Sequence, residues 1–580
     1  MNDGIDKVVR NIKNILKPNG RVDLIEFLKK EAHVVNSQKS SFIDFNLTPW
    51  WREPFLELME NPTLKEVNLL APIGSGKTTF FLAVLYVSLL LKARQTLLVG
   101  ISEQLTVDTL DLFIKPSLKK NKKIKAMWPM RKDDRKESIH FAHMSIFTGF
   151  ATSVRTLQQR SCDMVINDEC WKYDDLILDY SRGRLHDRSG SRMLNVSQGG
   201  LIDSPWEQTY NKGLIKQYAW NCPCCNEFNI YNFDDLKFDY EKTTDEKPIY
   251  KTVKAEMECP KCNHRVADTI ENRRSLSEGG KYVVENEDQN YIPKHYSYTL
   301  NQLCVYDVPW ENIAREFLMA NNSMNKATAL MNFFQQKMGR FWDNTLYTTT
   351  YNIDEIEDGY VMDEFKHDLS WKWRLMTADV QLSQLWVNIR DFDEFGNSRL
   401  VAFLYCSNLN DLEKIRIDYG VKPKCVAVDM AYKEADVKLA CCLYGWFGYN
   451  GQMDRTYSWT EKGKKVVKYY SEPKQYSVKT PNGIKTCQAF HYSGPTVKDI
   501  LTLSLMASGK WKAPNGGTNH DLYMSQTFGS ETREVDKNTG RVKYKYIRAN
   551  HSFDNECAMI VLATIKGAFI CDSIEEMKDD

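Results

Sequence analysis

Residues 71–78, Ala71-Pro72-Ile73-Gly74-Ser75-Gly76-Lys77-Thr78, have the types and spacing of a loop that wraps nucleotide phosphates. Gly74, Ser75 and Gly76 let backbone N–H groups face phosphate oxygens. Lys77 reaches the β/γ-phosphates, the Thr78 hydroxyl ligates Mg²⁺, and Thr79 belongs to the same nucleotide-binding set. ATP is the expected cofactor. Such a loop needs carboxylates on a nearby strand, and Met164-Val165-Ile166-Asn167-Asp168-Glu169 supplies an apolar strand ending in Asp-Glu. Asp168 is expected in the Mg²⁺ shell, with Glu169 orienting or deprotonating the attacking water. Two further sets can do chemistry. Cys222-Pro223-Cys224-Cys225 and Cys259-Pro260-Lys261-Cys262 repeat a two-residue spacing, each with Pro after its first Cys and Asn after its last. Cys222, Cys225, Cys259 and Cys262 are the expected ligands of a structural Zn²⁺ in a zinc ribbon, and Cys224 is a bystander. Asp379, Asp429 and Asp554 form the third set. An acid on a first strand, another on a fourth strand and another at a late helix suit an RNase H-like nuclease, in which carboxylates converge on two Mg²⁺ or Mn²⁺ ions.

The elements that must position these residues are legible in the apolar pattern. Val67–Leu70 reads as a buried strand before the loop and Phe80–Leu91 as a packed helix after it. Thr96–Gly100 reads as another parallel strand, followed by a helix from Ser102. Arg192–Val196 reads as a further strand, running into Ser197-Gln198-Gly199-Gly200, a γ-phosphate sensor or an ordinary strand end. Arg155 and Arg160 are either arginine-finger candidates or surface arginines. Lys115–Lys136 holds ten Lys/Arg against two acids, a solvated face or a DNA-tracking surface. Residues 309–342 look largely helical, and Thr345–Ser370 reads as a polar linker. Beyond it come a strand over Arg374–Gln381, a meander over Leu385–Arg390 and Arg399–Leu404, and a buried strand ending at Asp429. The last element is a helix over Ala558–Phe569. The basic and aromatic run Arg455–Tyr470 is either a DNA-gripping surface or an exposed hairpin.

With 580 residues, the chain exceeds one core, and roughly 100–200 residues per domain gives three or four. The expected fold class is α/β. It divides into an N-terminal helical segment (1–47), a P-loop ATPase domain with a parallel sheet (48–217), a zinc-ribbon insertion (218–285), a helical region and linker (286–370), and an RNase H-like nuclease domain (371–580). A net charge of +1 excludes a uniformly basic binder, so any nucleic-acid contact is local. The longest apolar run, behind the P-loop, is too short to span a bilayer. The N-terminus starts no signal peptide, and fifteen cysteines without secretion imply a reducing compartment. A cytoplasmic protein with no membrane partner is expected.

Taken in order, these motifs resemble the large terminase subunit of tailed bacteriophages, in the lambda-like GpA family. Thr48-Pro49-Trp50-Trp51-Arg52 resembles that family's entry to the ATPase, Tyr218–Pro223 its zinc insertion, Thr377-Ala378-Asp379-Val380-Gln381 the start of its nuclease, and Glu461-Lys462-Gly463 its later Lys-Gly turn. The resemblance implies a motor in the infected host cell that pumps double-stranded DNA through a portal into a procapsid, with a nuclease that cuts concatemers. It implies a small terminase subunit as partner, with residues 1–47 as the segment that would bind it, and a homo-oligomer on the portal. Gly76-Lys77-Thr78 is a standard P-loop where the family's is often degenerate. The family's C-terminal motif often reads Asn-Glu-x-Leu-Asp, whereas His551-Ser552-Phe553-Asp554-Asn555-Glu556 stands here. The third nuclease ligand is thus Asp554 or Glu556, with Asp554 favoured. The competing readings are a P-loop DNA helicase or translocase with an inactive nuclease-like domain, and a non-catalytic, nucleotide-switched DNA-docking protein.

Overall fold

The computed structural model describes residues 22–568, apart from 37–38, 131, 159–160, 175, 186–189, 243–249, 287–290, 293, 324–325, 344–356, 454–455, 462–463, 481–482 and 537–541. Two units emerge, one drawn from residues up to Phe341 and one mainly from Trp342 onward. In the first, the strands Glu66–Leu70, Thr96–Gly100 and Arg192–Ser197 are buried along their whole length. Continuous burial is what a parallel sheet covered on both faces demands. The covering helix Lys77–Leu90 is buried without a break from Phe80 to Leu89, so the apolar run behind the P-loop is a core helix. Among the described residues, no helix is long and apolar enough to cross a membrane.

Strand order in this sheet places the site. The P-loop strand Glu66–Leu70 pairs in parallel with Arg192–Ser197, which pairs with Met164–Asp168, then Thr96–Gly100, then Ser145–Phe150. The Asp168 strand is therefore one strand removed from the P-loop strand, with Ser197 ending between them. On the other side, His295–Thr299 pairs with Glu66–Leu70 and Leu214–Asn221 joins beyond it. The sheet thus runs past residue 217 into segments expected to belong to the zinc insertion and the helical region. Parallel pairing needs long crossovers, so chain neighbours are not sheet neighbours.

A buried polar ladder crosses this apolar sheet. The Asn167 Nδ2 group donates to Asn195 Oδ1 (2.7 Å), Asn195 Nδ2 donates to Asn68 Oδ1 and Glu66 Oε1 (2.8 Å each), and Asn68 Nδ2 donates to Ser297 Oγ (3.0 Å). A one-residue slip would leave these buried amides unpaired, so the ladder holds Asp168 in register with the P-loop. Before the sheet, the first expected helical segment is helical at Leu24–Glu31, but His33–Asn36 and Lys39–Phe42 pair as a hairpin; residues 1–21 lie outside the described residues.

In the second unit, Trp373–Val380, Leu385–Phe392 and Ser398–Cys406 form an antiparallel meander. Val426–Asp429 pairs in parallel with the first of these, and Phe447–Gln452 pairs in parallel with Val426–Asp429. The central order is thus third, second, first, fourth, fifth. The strand Glu357–Val361, expected within a linker, pairs with Trp511–Gly516 in the same sheet. That edge was hidden in the sequence because its partner lies about 150 residues on and its own composition is polar. Helix His551–Lys566 packs on the meander: Thr377 Oγ1 donates to the Asn555 carbonyl (3.0 Å) and Asn388 Nδ2 to Ser552 Oγ (3.1 Å).

Glu556 on this helix is part of the core. Its carboxylate takes both the Nε and Nη2 groups of Arg390 (3.1 Å each), Trp511 Nε1 (3.0 Å), Tyr523 Oη (3.1 Å) and Asn388 Nδ2 (2.9 Å), and Glu556 and Arg390 are both fully buried. Removing one partner leaves an uncompensated charge. Glu556→Ala is expected to destabilise the second unit by about 3–5 kcal/mol, measured by chemical denaturation. A loss below about 1 kcal/mol would contradict the role given to this pair.

Candidate functional site

The P-loop leaves its strand at Leu70 and enters the helix at Lys77. Gly74 (φ +78°) and Gly76 (φ +90°) adopt a backbone that residues with a Cβ rarely take. Lys77, Thr78 and Thr79 are half-buried at the mouth of the loop. The Lys77 ammonium donates to the carbonyls of Ala71 (3.2 Å) and Pro72 (3.5 Å) and lies 3.8 Å from Glu169 Oε1. Lys77 thus bridges the loop and the Asp-Glu strand end. Burial, then the neighbouring Glu169, pushes the Asp168 carboxyl up to about 7, while Lys77 opposes the rise. Glu169 sits at φ +58°, an uncommon backbone for such a residue, and Trp171 Nε1 donates to its Oε2 (2.7 Å). The Trp171 backbone N–H in turn donates to Ser197 Oγ (3.0 Å) and the Ala71 N–H to the Ser197 carbonyl (2.9 Å). Ser197 therefore joins the loop entrance to the turn that aims Glu169. Trp171 carried no signal in the sequence, because its role comes from one side-chain bond across a turn.

The four knuckle sulfurs meet. Cys222, Cys225, Cys259 and Cys262 lie with their Sγ atoms within 4.8 Å of one another, at 3.7 Å for Cys222–Cys262 and 3.8 Å for Cys225–Cys259. A tetrahedral ion with bonds of about 2.3 Å to sulfur needs an edge of about 3.8 Å, so this donor set fits Zn²⁺. Each knuckle is a hairpin turn, between Leu214–Asn221 and Phe228–Ile230 and between Tyr250–Glu258 and Arg265–Ala267. The Asn after each pair explains itself: Asn226 (φ +60°) and Asn263 (φ +59°) both take the left-handed backbone that Asn tolerates. Cys224 is exposed and lies outside this group of four sulfurs.

Asp379, one residue from its strand's end, and Asp429, at its strand's end, lie on adjacent parallel strands, and Asp554 stands in the first turn of the late helix. Asp379 Oδ2 bonds to His551 Nδ1 (2.7 Å), and Gln381 Nε2 donates to both Asp379 oxygens (3.0 and 2.9 Å). The His551 ring stacks on Trp386 (centroids 5.5 Å apart, planes 8° apart). Asp554 Oδ1 faces the Lys498 ammonium (3.2 Å), while its Oδ2 accepts from Asn550 Nδ2 (2.9 Å). Lys498 also donates to both oxygens of Glu531 (2.7 Å each). Burial, helped by Asp379 and Asp554, pushes the Asp429 carboxyl up to about 7 against its bond from the Ala431 N–H. Asp554 is likewise raised, by desolvation and by Glu531 and Asp379, with Lys498 opposing. The three acids feel each other's charge, yet among the described residues only the cysteines close to within 4.8 Å as a ligand group. Residues two apart on a helix face about 200° away from each other, so Asp554 and Glu556 could not both reach the site. Glu556 is the one turned inward. His551, Gln381, Lys498 and Glu531 were not singled out from the sequence; only the fold brings them to the acids.

Because the Asp429 carboxyl is raised above its unfolded value of about 3.9, its contribution to stability is full below pH ~4 and is lost as pH rises through about 7. In metal-free protein, Asp429→Asn should therefore raise Tm at pH 8 and bring little gain at pH 4. Equal gains at both pH values would show that Asp429 is not buried in this way.

Residues 37–280 match the family described as the phage terminase large subunit gpA, ATPase domain. The chain carries a gpA-type terminase ATPase domain. Its fold is similar to the large terminase of bacteriophage HK97 (11% identity, 93% of this chain and 98% of that one, TM-score 0.34). It is also similar to the large terminase of thermophilic bacteriophage D6E in complex with ATP-γ-S (9% identity, 90% and 98%, TM-score 0.34) and to the Thermus phage P74-26 large terminase ATPase domain (10% identity, 50% and 92%, TM-score 0.30). No curated protein matches the chain in sequence.

Within this terminase domain, Arg155 is exposed on the short helix Val154–Leu157. That helix follows the strand Ser145–Phe150, four places along the sheet from the P-loop strand, about 19 Å at ~4.8 Å per strand. Arg160 lies outside the described residues. In the basic run, Lys115 pairs with Asp111 (2.7 Å) and Asp134 (2.9 Å), Lys119 approaches Asp134 (3.5 Å), and Lys120, Lys122, Lys125 and Lys132 are exposed. In the second unit, Tyr457–Glu461 and Lys464–Lys468 pair as a hairpin, with Lys468 over the Trp459 ring (5.0 Å); Lys462 and Gly463 lie outside the described residues.

Proposed function

We propose that the chain is the large subunit of a viral DNA-packaging motor, coupling ATP hydrolysis to movement of double-stranded DNA and cutting concatemers with its second unit. The observation that carries this reading is the P-loop and the Asp168-Glu169 strand end within a terminase ATPase domain, on a chain that also bears the Asp379–Asp429–Asp554 sheet. Lys77 offsets phosphate charge, and Glu169, aimed by Trp171, holds the water that attacks. Thr78 and Asp168 would hold Mg²⁺, which supplies further charge on the phosphates. The meander followed by parallel strands has the order of an RNase H-like sheet, and its strand ends present Asp379 and Asp429 beside Asp554. Those three would hold Mg²⁺ or Mn²⁺, which activates water on a phosphodiester and stabilises the leaving oxygen. His551 and Gln381 orient Asp379; Lys498 and Asn550 orient Asp554. On this reading the partners are a small terminase subunit, a portal and a procapsid, with several copies acting on the portal in the host cytoplasm.

Incubation of the purified chain with plasmid DNA tests the nuclease half. Cleavage that needs Mg²⁺ or Mn²⁺ and stops with chelator is expected. A translocase with an inactive nuclease-like unit is favoured by one observation, that protein donors already engage the oxygens of Asp379 and Asp554. Absence of cleavage under all metals would select it. ATP bound but never turned over would select a nucleotide-switched docking protein instead.

The cysteine cluster is proposed as a structural zinc ribbon, since four thiolates leave no open position. Metal analysis should find one zinc per chain, and Cys259→Ser should lower both zinc content and the melting temperature. Protein purified without chelator that contains no zinc would refute the ribbon.

A further inference from the structure

Behind the P-loop, the indole Nε1–H groups of Trp50 and Trp51 both donate to one acceptor, the Ser75 carbonyl oxygen, at 3.1 and 2.6 Å. Both rings are buried, at 2% and 0% exposure. In a trans peptide the C=O of one residue and the N–H of the next point in opposite directions. Holding the Ser75 carbonyl on the indoles therefore turns the Gly76 N–H the other way, away from Trp50 and Trp51. A second peptide is held alike. Gln302 Nε2 donates to the Ile73 carbonyl (3.3 Å), which turns the Gly74 N–H away from Gln302. The fit is close: a Cβ built on Gly76 would stand 3.3 Å from Trp51 Nε1. The Ser75 side chain is occupied elsewhere, its Oγ donating to the Pro72 carbonyl (2.8 Å).

We propose that Trp50 and Trp51 are positioning residues for nucleotide binding, a paired latch on the Ser75 carbonyl that presents the Gly76 N–H to the phosphates of a nucleoside triphosphate before it arrives. The proposal rests on the nucleotide-site reading above. Neither indole needs to touch the nucleotide. A donor set fixed in advance spares the ligand the cost of ordering the loop. Two donors on one oxygen also back each other up in part, so either alone holds the carbonyl less firmly, and losing both should exceed the product of the single effects.

Trp→Phe substitutions remove the donor and keep an aromatic ring in the cluster, where Trp51 packs on Phe80 (5.1 Å) and Trp50 on Tyr306 (6.2 Å). In the full-length chain, Trp50→Phe and Trp51→Phe should each raise KM for ATP about twofold, and the double variant about tenfold or more. In all three, kcat should stay within about twofold of wild type, because the Gly76 N–H serves ground state and transition state alike. The Kd of a non-hydrolysable ATP analogue, measured by calorimetry, should follow KM. A double variant whose KM is unchanged, or no larger than the product of the single effects, overturns the latch, as does a loss confined to kcat. Should the double variant fail to fold, Trp51→Phe decides alone: an unchanged KM and Kd overturn the proposal. Wild-type protein that binds the analogue without hydrolysing ATP would sink the ATPase reading and leave the latch to be judged on Kd.

Discussion

Replacing Lys77 by Ala should lower ATP turnover by about 10²–10³-fold, the effect of losing one preorganised charge on a developing anion. The substitution is a clean one. Lys77 is half-buried, its ammonium meets loop carbonyls and Glu169, and the helix behind it is anchored by ten consecutive buried residues from Phe80. The melting temperature should therefore hold while phosphate release falls. A variant that hydrolyses ATP within about threefold of wild type would mean that the loop is not where the γ-phosphate is cleaved.

Replacing Asp379 by Ala should abolish metal-dependent cleavage of plasmid DNA and leave ATP hydrolysis within about twofold of wild type. Asp379 stands one residue before the end of its strand, next to the strand that Asp429 ends, and is held by His551 and Gln381. Its loss removes one of the three proposed anionic ligands and frees His551, but leaves the fully bonded Arg390–Glu556 pair untouched. Cleavage that persists in this variant would remove the nuclease assignment.

How much of this was legible in the sequence depended on the range of the interactions. The P-loop, the Asp168-Glu169 strand end and the cysteine knuckles are short motifs whose geometry is local, so spacing alone led to them. Even their odd residues have a local cause, as Asn226 and Asn263 show with their left-handed backbones. The meander and the fourth strand were legible as apolar runs, and the structure buries them almost throughout. Strand order was not. Nothing in Arg192–Ser197 says that it lies between Glu66–Leu70 and Met164–Asp168, and nothing in His295–Thr299 says that it pairs with the P-loop strand. Parallel pairing is fixed by packing across long crossovers. The polar edge strand Glu357–Val361 was read as linker for the same reason. Helix geometry could have settled that Asp554 and Glu556 face apart; which of them turns inward needed Arg390, about 165 residues earlier. Trp171 escaped notice, and Trp50 and Trp51 stood out only through a family resemblance, because an indole N–H reads as core apolar surface until its acceptor is known.

The central claim is that one chain carries two separable engines, an ATPase at Lys77 and a metal-dependent nuclease at Asp379. The most direct measurement is ATP hydrolysis and plasmid cleavage, assayed side by side on wild type, Lys77→Ala and Asp379→Ala. The expected result is a crossed loss: the first variant cleaves DNA without turning over ATP, and the second turns over ATP without cleaving. Cleavage retained by Asp379→Ala, or turnover retained by Lys77→Ala, would contradict it.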